Sequence, residues 1–128
     1  MPRPVLIDTD VMVDFLRGHP KAVVLIKEHS DRIVLSSVVV AELYAGVKGG
    51  EELKTLDDLV SLFRTVPVTL SVARTAGLHM RDYARSHGVG LADAIVAATV
   101  EAEDAELKTL NTKHYPMLHG LQPPYEKP

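Results

Sequence analysis

The sequence predicts an α/β layer structure built on a short, mostly parallel sheet flanked by helices, and three observations predict it. Short apolar runs alternate along the chain with segments of helical spacing. Runs such as Val5-Leu6-Ile7 and Ile33-Val34-Leu35 are continuous rather than alternating, the pattern of strands buried on both faces. The chain has 128 residues, 46% of them hydrophobic, which suits one compact core and leaves little room for a second.

Taken in order, Val5-Leu6-Ile7 is expected to form the first strand, ending at Asp8. Asp10 to Arg17 has helical character until Gly18-His19-Pro20 breaks it, and Lys21 to His29 follows as a second helix. Ile33-Val34-Leu35 is the second strand, closed by Ser36-Ser37. Val38 to Lys48 reads as a helix ended by Gly49-Gly50, although its Val38-Val39-Val40 start also suits a strand. Glu51 to Arg64 carries Leu53, Leu56, Leu59, Val60 and Phe63 on one stripe, the spacing of an amphipathic helix. Val66-Pro67-Val68 is a brief strand or edge. Ser71 to His87 is a helix with a small-residue face, broken by Gly88-Val89-Gly90, and Ala92 to Glu103 is an alanine-rich helix. Leu107 to Leu110 is the last strand, with a helical turn near Tyr115 and a proline-rich end.

Composition removes several function classes. Without cysteine, disulfide frameworks and cysteine-based zinc, iron–sulfur or thiol chemistry are excluded. There is no run of 18 apolar residues for a membrane span, and Asp8 comes too early for a signal peptide, so a soluble cytoplasmic protein with no membrane association is expected. The formal charge is −3. Nucleic-acid binding therefore needs a local basic patch, a metal ion or a partner.

The sharper signal is acidic residues in apolar settings. On a helix, Glu42 shares its face with Val38, Val39, Ala45 and Gly46, and Asp93 shares its face with Val96, Ala97 and Val100. Asp8 ends an apolar strand. Acids in such places are costly unless paired, hydrogen-bonded or bound to a metal. Parallel sheets place sites beyond the carboxyl ends of their strands, where Asp8 and Asn111 both fall. Several carboxylates with no soft ligand favour a hard cation, Mg²⁺ or Mn²⁺. Each acid alone has a plain structural account: Asp93 complements a helix N-terminus, Glu42 sits half-exposed or paired with an arginine, and Asp8 caps a turn. Together on one rim they favour a site.

The remaining candidates carry less. Asp10 reads first as the N-cap of the first helix, within reach of a metal near Asp8 through water. Asp14 and Arg17 are spaced as a surface ion pair. Asp57-Asp58 and the acids from Glu101 to Glu106 read as solvated, and the histidines show no ligand spacing. Tyr44, Met80 and Tyr83 read as packing residues. Gly88-Val89-Gly90 is a turn rather than a dinucleotide loop.

Four segments then resemble the PIN-domain ribonucleases, specifically the VapC-type toxins of toxin–antitoxin pairs. They are Val5-Leu6-Ile7-Asp8-Thr9-Asp10-Val11 with the following Leu16-Arg17-Gly18, the stretch from Ser36 to Gly46 around Glu42-Leu43, the stretch from Gly90 to Thr99 around Asp93, and Leu110-Asn111-Thr112-Lys113-His114-Tyr115. They occur in family order and spacing from about Val5 to Tyr125. The resemblance implies a PIN-like three-layer fold forming a single domain over residues 1–128. It also implies a metal-dependent endoribonuclease that hydrolyses RNA phosphodiester bonds. Asp8, Glu42 and Asp93 match the family's catalytic and metal-binding acids, served by Mg²⁺ or Mn²⁺. Asn111 stands at the fourth position, where many members carry Asp, a departure expected to weaken a second metal site. Asp10 is a secondary candidate that partly replaces that charge. Val39 stands where many relatives carry Thr, which removes a polar contact. Arg17, Lys48 and Lys113 are candidate phosphate contacts, although solvated surface charge also describes them. The implied partners are RNA, a VapB-type antitoxin laid across the acidic groove, and a second copy of the chain.

Competing readings come from other classes. A PIN-like nucleic-acid-binding module without catalysis takes Asn111 as its best argument. A phosphoacceptor signalling domain needs a strand-end aspartate in mid-chain, and Asp57 sits near that distance but in a run of helical spacing. A haloacid-dehalogenase-type phosphatase shares the Asp8-Thr9-Asp10 start but expects a later acidic pair that Leu110-Asn111-Thr112 does not supply.

Overall fold

A computed structural model of the protein describes residues 2–127. Strand β1 (Val5–Ile7) leads through α1 (Thr9–Leu16) and α2 (Pro20–Glu28) to β2 (Ile33–Ser36), and then through α3 (Ser37–Ala45) and α4 (Gly50–Val60) to β3 (Arg64–Val66). Helices α5 (Leu70–His87) and α6 (Leu91–Glu103) carry the chain back to β4 (Glu106–Lys108), and a 3₁₀ turn follows at Thr112–His114.

The strands lie in the order β3-β2-β1-β4, and every pairing is parallel rather than mostly so. Val5 pairs with Ile33 on one side and Glu106 on the other. All residues of β1 and β2 are buried, which requires cover on both faces of the sheet. The connections supply it. The first two crossovers step in one direction along the sheet and the third steps back past β2 and β1. If each is right-handed, the third runs over the opposite face, giving helix, sheet and helix layers. The strand order reverses between β1 and β4, and this switch point is where a parallel sheet opens a crevice at its carboxyl edge.

Strand and helix meet there with almost no loop, and this corrects the expected cap. Only Asp8 separates β1 from α1, so Asp8 rather than Asp10 caps the helix, its Oδ1 accepting the Thr9 N–H at 2.8 Å. Ser36 does the same for α3, its hydroxyl accepting from the Val38 N–H. That cap makes Val38-Val39-Val40 helical despite its β-branched residues. Helix α4 ends at Val60 rather than Arg64, because 3₁₀-type bonds from Leu62 and Phe63 back to Leu59 and Val60 tighten its last turn. The third strand accordingly starts at Arg64, and it stops at Val66 because Pro67 has no N–H for a ladder.

The expected surface pair of Asp14 and Arg17 is also corrected. Asp14 is buried, and it accepts hydrogen bonds from Tyr125 Oη at 2.7 Å and Lys127 Nζ at 2.9 Å. The Tyr125 ring stacks on His19 with centroids 5.3 Å apart. The proline-rich tail is thus strapped to α1 and the start of α2.

Burial works to raise the Asp14 pKa, but the Lys127 and Tyr125 bonds and the Lys127 charge outweigh it and hold the carboxyl below its ordinary range. A depressed folded-state pKa contributes stability that is present above the unfolded value, near 3.9, and is lost as pH falls through the folded value. Asp14→Asn is expected to cost about 1–3 kcal/mol of unfolding free energy at neutral pH, and the gap to wild type should narrow below pH ~4. Chemical denaturation across pH 3 to 7 checks both statements.

Candidate active site

The site grows from the end of β1. Asp8 is 8% exposed, and its carboxylate is held by three donors from three parts of the chain. Oδ1 accepts the Thr9 N–H. Oδ2 accepts the Thr109 hydroxyl at 2.8 Å and the Tyr115 hydroxyl at 2.7 Å. Thr109 directly follows β4, so the two strands flanking the switch point meet through this bond.

Asp93 lies in the first turn of α6 and is half-buried, with Tyr115 Oη 3.4 Å from its Oδ1 and His114 Nδ1 3.6 Å from its Oδ2. The Tyr115 hydroxyl therefore stands between the carboxylates of Asp8 and Asp93. Burial raises the Asp93 pKa above the ordinary range and the Asp8 charge adds to this, while His114 acts against both. Tyr115 itself is held in its protonated form, its ionisation pushed far upward by burial and by the charges of Asp8, Asp93 and Asp10.

Asp10 is one step away. Its Oδ1 accepts the Val11 N–H at 2.7 Å and its Oδ2 the Leu110 N–H at 2.9 Å. Burial and the Asp8 charge raise its pKa, against the pull of these two backbone bonds. Asp10 thus ties the first turn of α1 to the loop after β4.

Glu42 departs from the burial its apolar neighbours suggest. Helix α3 buries Val39 and Leu43, one turn apart, and leaves Glu42 exposed. Its Oε1 accepts the Thr9 hydroxyl at 2.6 Å, which places it beside Asp8 across the α1–α3 junction. Glu42 lies on the wall of an open groove of about 830 Å³ between α1, α3 and α4, which Arg17 and Lys48 also line. Asn111 starts the 3₁₀ turn with its side chain exposed; among the described residues its hydrogen bonding to the site runs through its backbone N–H, which donates to Thr109 Oγ1 at 3.1 Å.

Asp8 and Asp10 are therefore brought together at the Thr109 hydroxyl, 2.8 and 3.5 Å away, and Asp8 and Asp93 at the Tyr115 hydroxyl, while Glu42 joins through Thr9 and Asn111 stays at the margin. Spacing arguments missed Thr9, Thr109, His114 and Tyr115. Thr109 had a usable signal, since it follows a strand at the switch point as Asp8 does. Asp57 lies exposed on α4 and accepts the Tyr44 hydroxyl at 2.6 Å, so no strand-end phosphoacceptor exists at that position.

Among the described residues, no three carboxylate or imidazole groups stand close enough to form a closed cation cage. The donor chemistry nonetheless fits a hard divalent cation. The carboxylates of Asp8, Asp10 and Asp93 and the hydroxyls of Thr109 and Tyr115 gather oxygen at the centre of the site, and one acceptor direction of Asp8 Oδ1 is not taken by any described hydrogen bond.

The PIN domain family matches residues 5–116. The chain is 43% identical over 124 residues to Ribonuclease VapC19 of Mycobacterium tuberculosis, covering 94% of this chain and 98% of that protein. It is 39% identical over 127 residues to Ribonuclease VapC10 of the same organism, covering 97% and 95%. Among solved structures, a toxin–antitoxin complex from Klebsiella pneumoniae contains a chain that superposes with a TM-score of 0.83 at 24% identity, over 96% of this chain and 99% of that one.

A carboxyl whose folded-state pKa is raised costs stability above that value and ceases to do so as pH falls through it. Asp93→Asn in metal-free protein is therefore expected to leave the Tm at neutral pH equal to wild type or slightly higher. Wild type should gain on the variant as pH falls toward the ordinary aspartate range. Differential scanning calorimetry in EDTA across that range checks it; a large loss of Tm in the variant would mark Asp93 as a structural residue.

Proposed function

The chain belongs to the PIN-domain family, and on that premise we propose that it is a metal-dependent endoribonuclease, the toxin of a VapBC-type pair. The observation that carries this reading is the joining of Asp8 and Asp93 through one buried hydroxyl at the switch point, with Glu42 beside them on an open groove. The ribonuclease names of relatives that match nearly the whole chain support it.

In this reading Asp8 and Asp93 would hold Mg²⁺ or Mn²⁺, and Glu42 would contribute directly or through water. When bound there, the ion would lower the pKa of a water and offset negative charge developing on the phosphoryl oxygens. The chain's own residues do the rest. Thr9 holds Oε1 of Glu42 by a hydrogen bond, and Glu42 orients the attacking water toward the phosphodiester. Arg17 and Lys48, on the same groove, meet the phosphates of the RNA. Asn111 acts as an outer contact of the site and Asp10 fixes the loop that carries it.

The groove also suits the partner. Its floor includes Val13, Leu43 and Leu56, and its rim carries Glu42, Glu51 and Glu52. A segment of VapB-type antitoxin with apolar and basic side chains matches that lining, and a basic group reaching Glu42 would compensate the acidic cluster and block RNA. Homodimerisation belongs to the same proposal, with exposed Leu62 and Leu70 as apolar surface available to a second copy. Among the described residues no helix is long and apolar enough to cross a membrane; a cytoplasmic location is part of the proposal. Asn111 favours one second reading, an RNA-binding module without catalysis.

Incubation of purified protein with a mixed tRNA and mRNA pool separates the two. Cleavage in Mg²⁺ or Mn²⁺ that stops with EDTA and falls by at least ~10³-fold in Asp8→Ala is the expected result, in line with removal of a group acting on the transition state. RNA retention without cleavage in any metal would favour the binding module. Asn111→Asp should tighten Mn²⁺ binding several-fold by calorimetry, and no change would place Asn111 outside the site.

A further inference from the structure

We propose that the hydroxyl of Tyr115 is a positioning group for the acidic pair, deciding which oxygen of Asp8 faces an incoming divalent cation. This rests on the reading of Asp8 and Asp93 as cation ligands.

The Tyr115 ring is 1% exposed and packs in the main core. Packing of the ring asks only for its carbon atoms, and a buried hydroxyl is costly unless it is bonded. This one is bonded, at 2.7 Å, to Asp8 Oδ2. A phenol has a single proton to share; the 2.7 Å contact with Asp8 holds it, and Asp93 Oδ1 at 3.4 Å is the longer, weaker second partner. Thr109 supplies the second donor to Asp8 Oδ2. A carboxylate accepts at about four directions. Two on Oδ2 are filled by Tyr115 and Thr109 and one on Oδ1 by the Thr9 N–H. The direction left open is on Oδ1, so Asp8 presents one oxygen, not two, to a cation.

The same turn grips the other acid. His114 and Tyr115 are adjacent in sequence and approach opposite oxygens of Asp93. Because the tyrosine ring is fixed by the core, its oxygen sets the spacing of the two carboxylates from outside the cation's own shell. Removing the hydroxyl leaves Asp8 with Thr109 and Thr9, so the protein keeps its fold while Oδ2 regains a free acceptor direction and the carboxylate is able to turn.

The molecule supplies its own control. Tyr125 makes a bond of the same kind and length, 2.7 Å, to buried Asp14 on the far part of α1. Full-length Tyr115→Phe and Tyr125→Phe, both stripped with EDTA, are titrated with Mn²⁺ alone by calorimetry, and their Tm is measured in EDTA. Both variants should show a lowered Tm. Only Tyr115→Phe should show a weakened Mn²⁺ Kd, by about 10–100-fold, the usual loss when an outer partner of a ligand is removed. A Kd for Tyr115→Phe within about twofold of wild type, or an equal loss in both variants, would overturn the positioning role while leaving the cation site intact. Wild-type protein that takes up no Mn²⁺ would overturn the cation site and this proposal with it.

Discussion

The fold carries an acidic side chain, Asp8, buried at the end of β1, and three parts of the chain converge on it. Asp8 follows three fully buried apolar residues and is itself nearly buried, where an uncompensated carboxylate would cost several kcal/mol. Compensation comes from the start of α1, the end of β4 and the C-terminal turn, the last two about a hundred residues away in sequence. The parallel sheet makes this possible. Placing β4 beside β1 brings Thr109 to Asp8, and the turn that follows brings Tyr115. The bonds that satisfy the oxygens of the acid therefore also close the fold.

The same arrangement leaves the carboxyl cluster electrostatically incomplete. Asp10 and Asp93 both have raised pKa values, from burial first and with the Asp8 charge contributing in each case. Hydroxyls and backbone amides orient these oxygens without cancelling their charge. His114 Nδ1 stands 3.6 Å from Asp93 Oδ2. A site of this kind favours any positive species that can enter it, whether a divalent cation or a basic side chain from a partner, and those two occupants would exclude each other. The proposed metal-dependent catalysis and antitoxin inhibition would both draw on this one electrostatic property.

Much of the fold was legible because local patterns carried it. Continuous apolar runs marked β1 and β2, and glycine marked the end of α5, where Gly88 adopts a left-handed φ of +65°. The junctions were harder. A strand that passes into a helix through one residue gives Asp8 the capping role that spacing assigned to Asp10. Pro67 was visible but read as part of a strand rather than as its stop. At the site, the acids stood out because they interrupt apolar faces, although Glu42 turned out to look onto a groove. The hydroxyls that join them did not stand out. Thr109 and Tyr115 lie 101 and 107 residues from Asp8, and no local period reports a contact at that range. The Asp14 bond to Tyr125, across 111 residues, was hidden for the same reason.

In the proposed site, the carboxylates at the switch point hold one cation organised around Asp8. A crystal structure of the protein grown with Mn²⁺, with the ion located by its anomalous scattering, is the test. An anomalous peak in contact with Oδ1 of Asp8 and with the carboxylate of Asp93 is the predicted result. A peak held by other residues, with Asp8 and Asp93 still joined only through Tyr115, would contradict it.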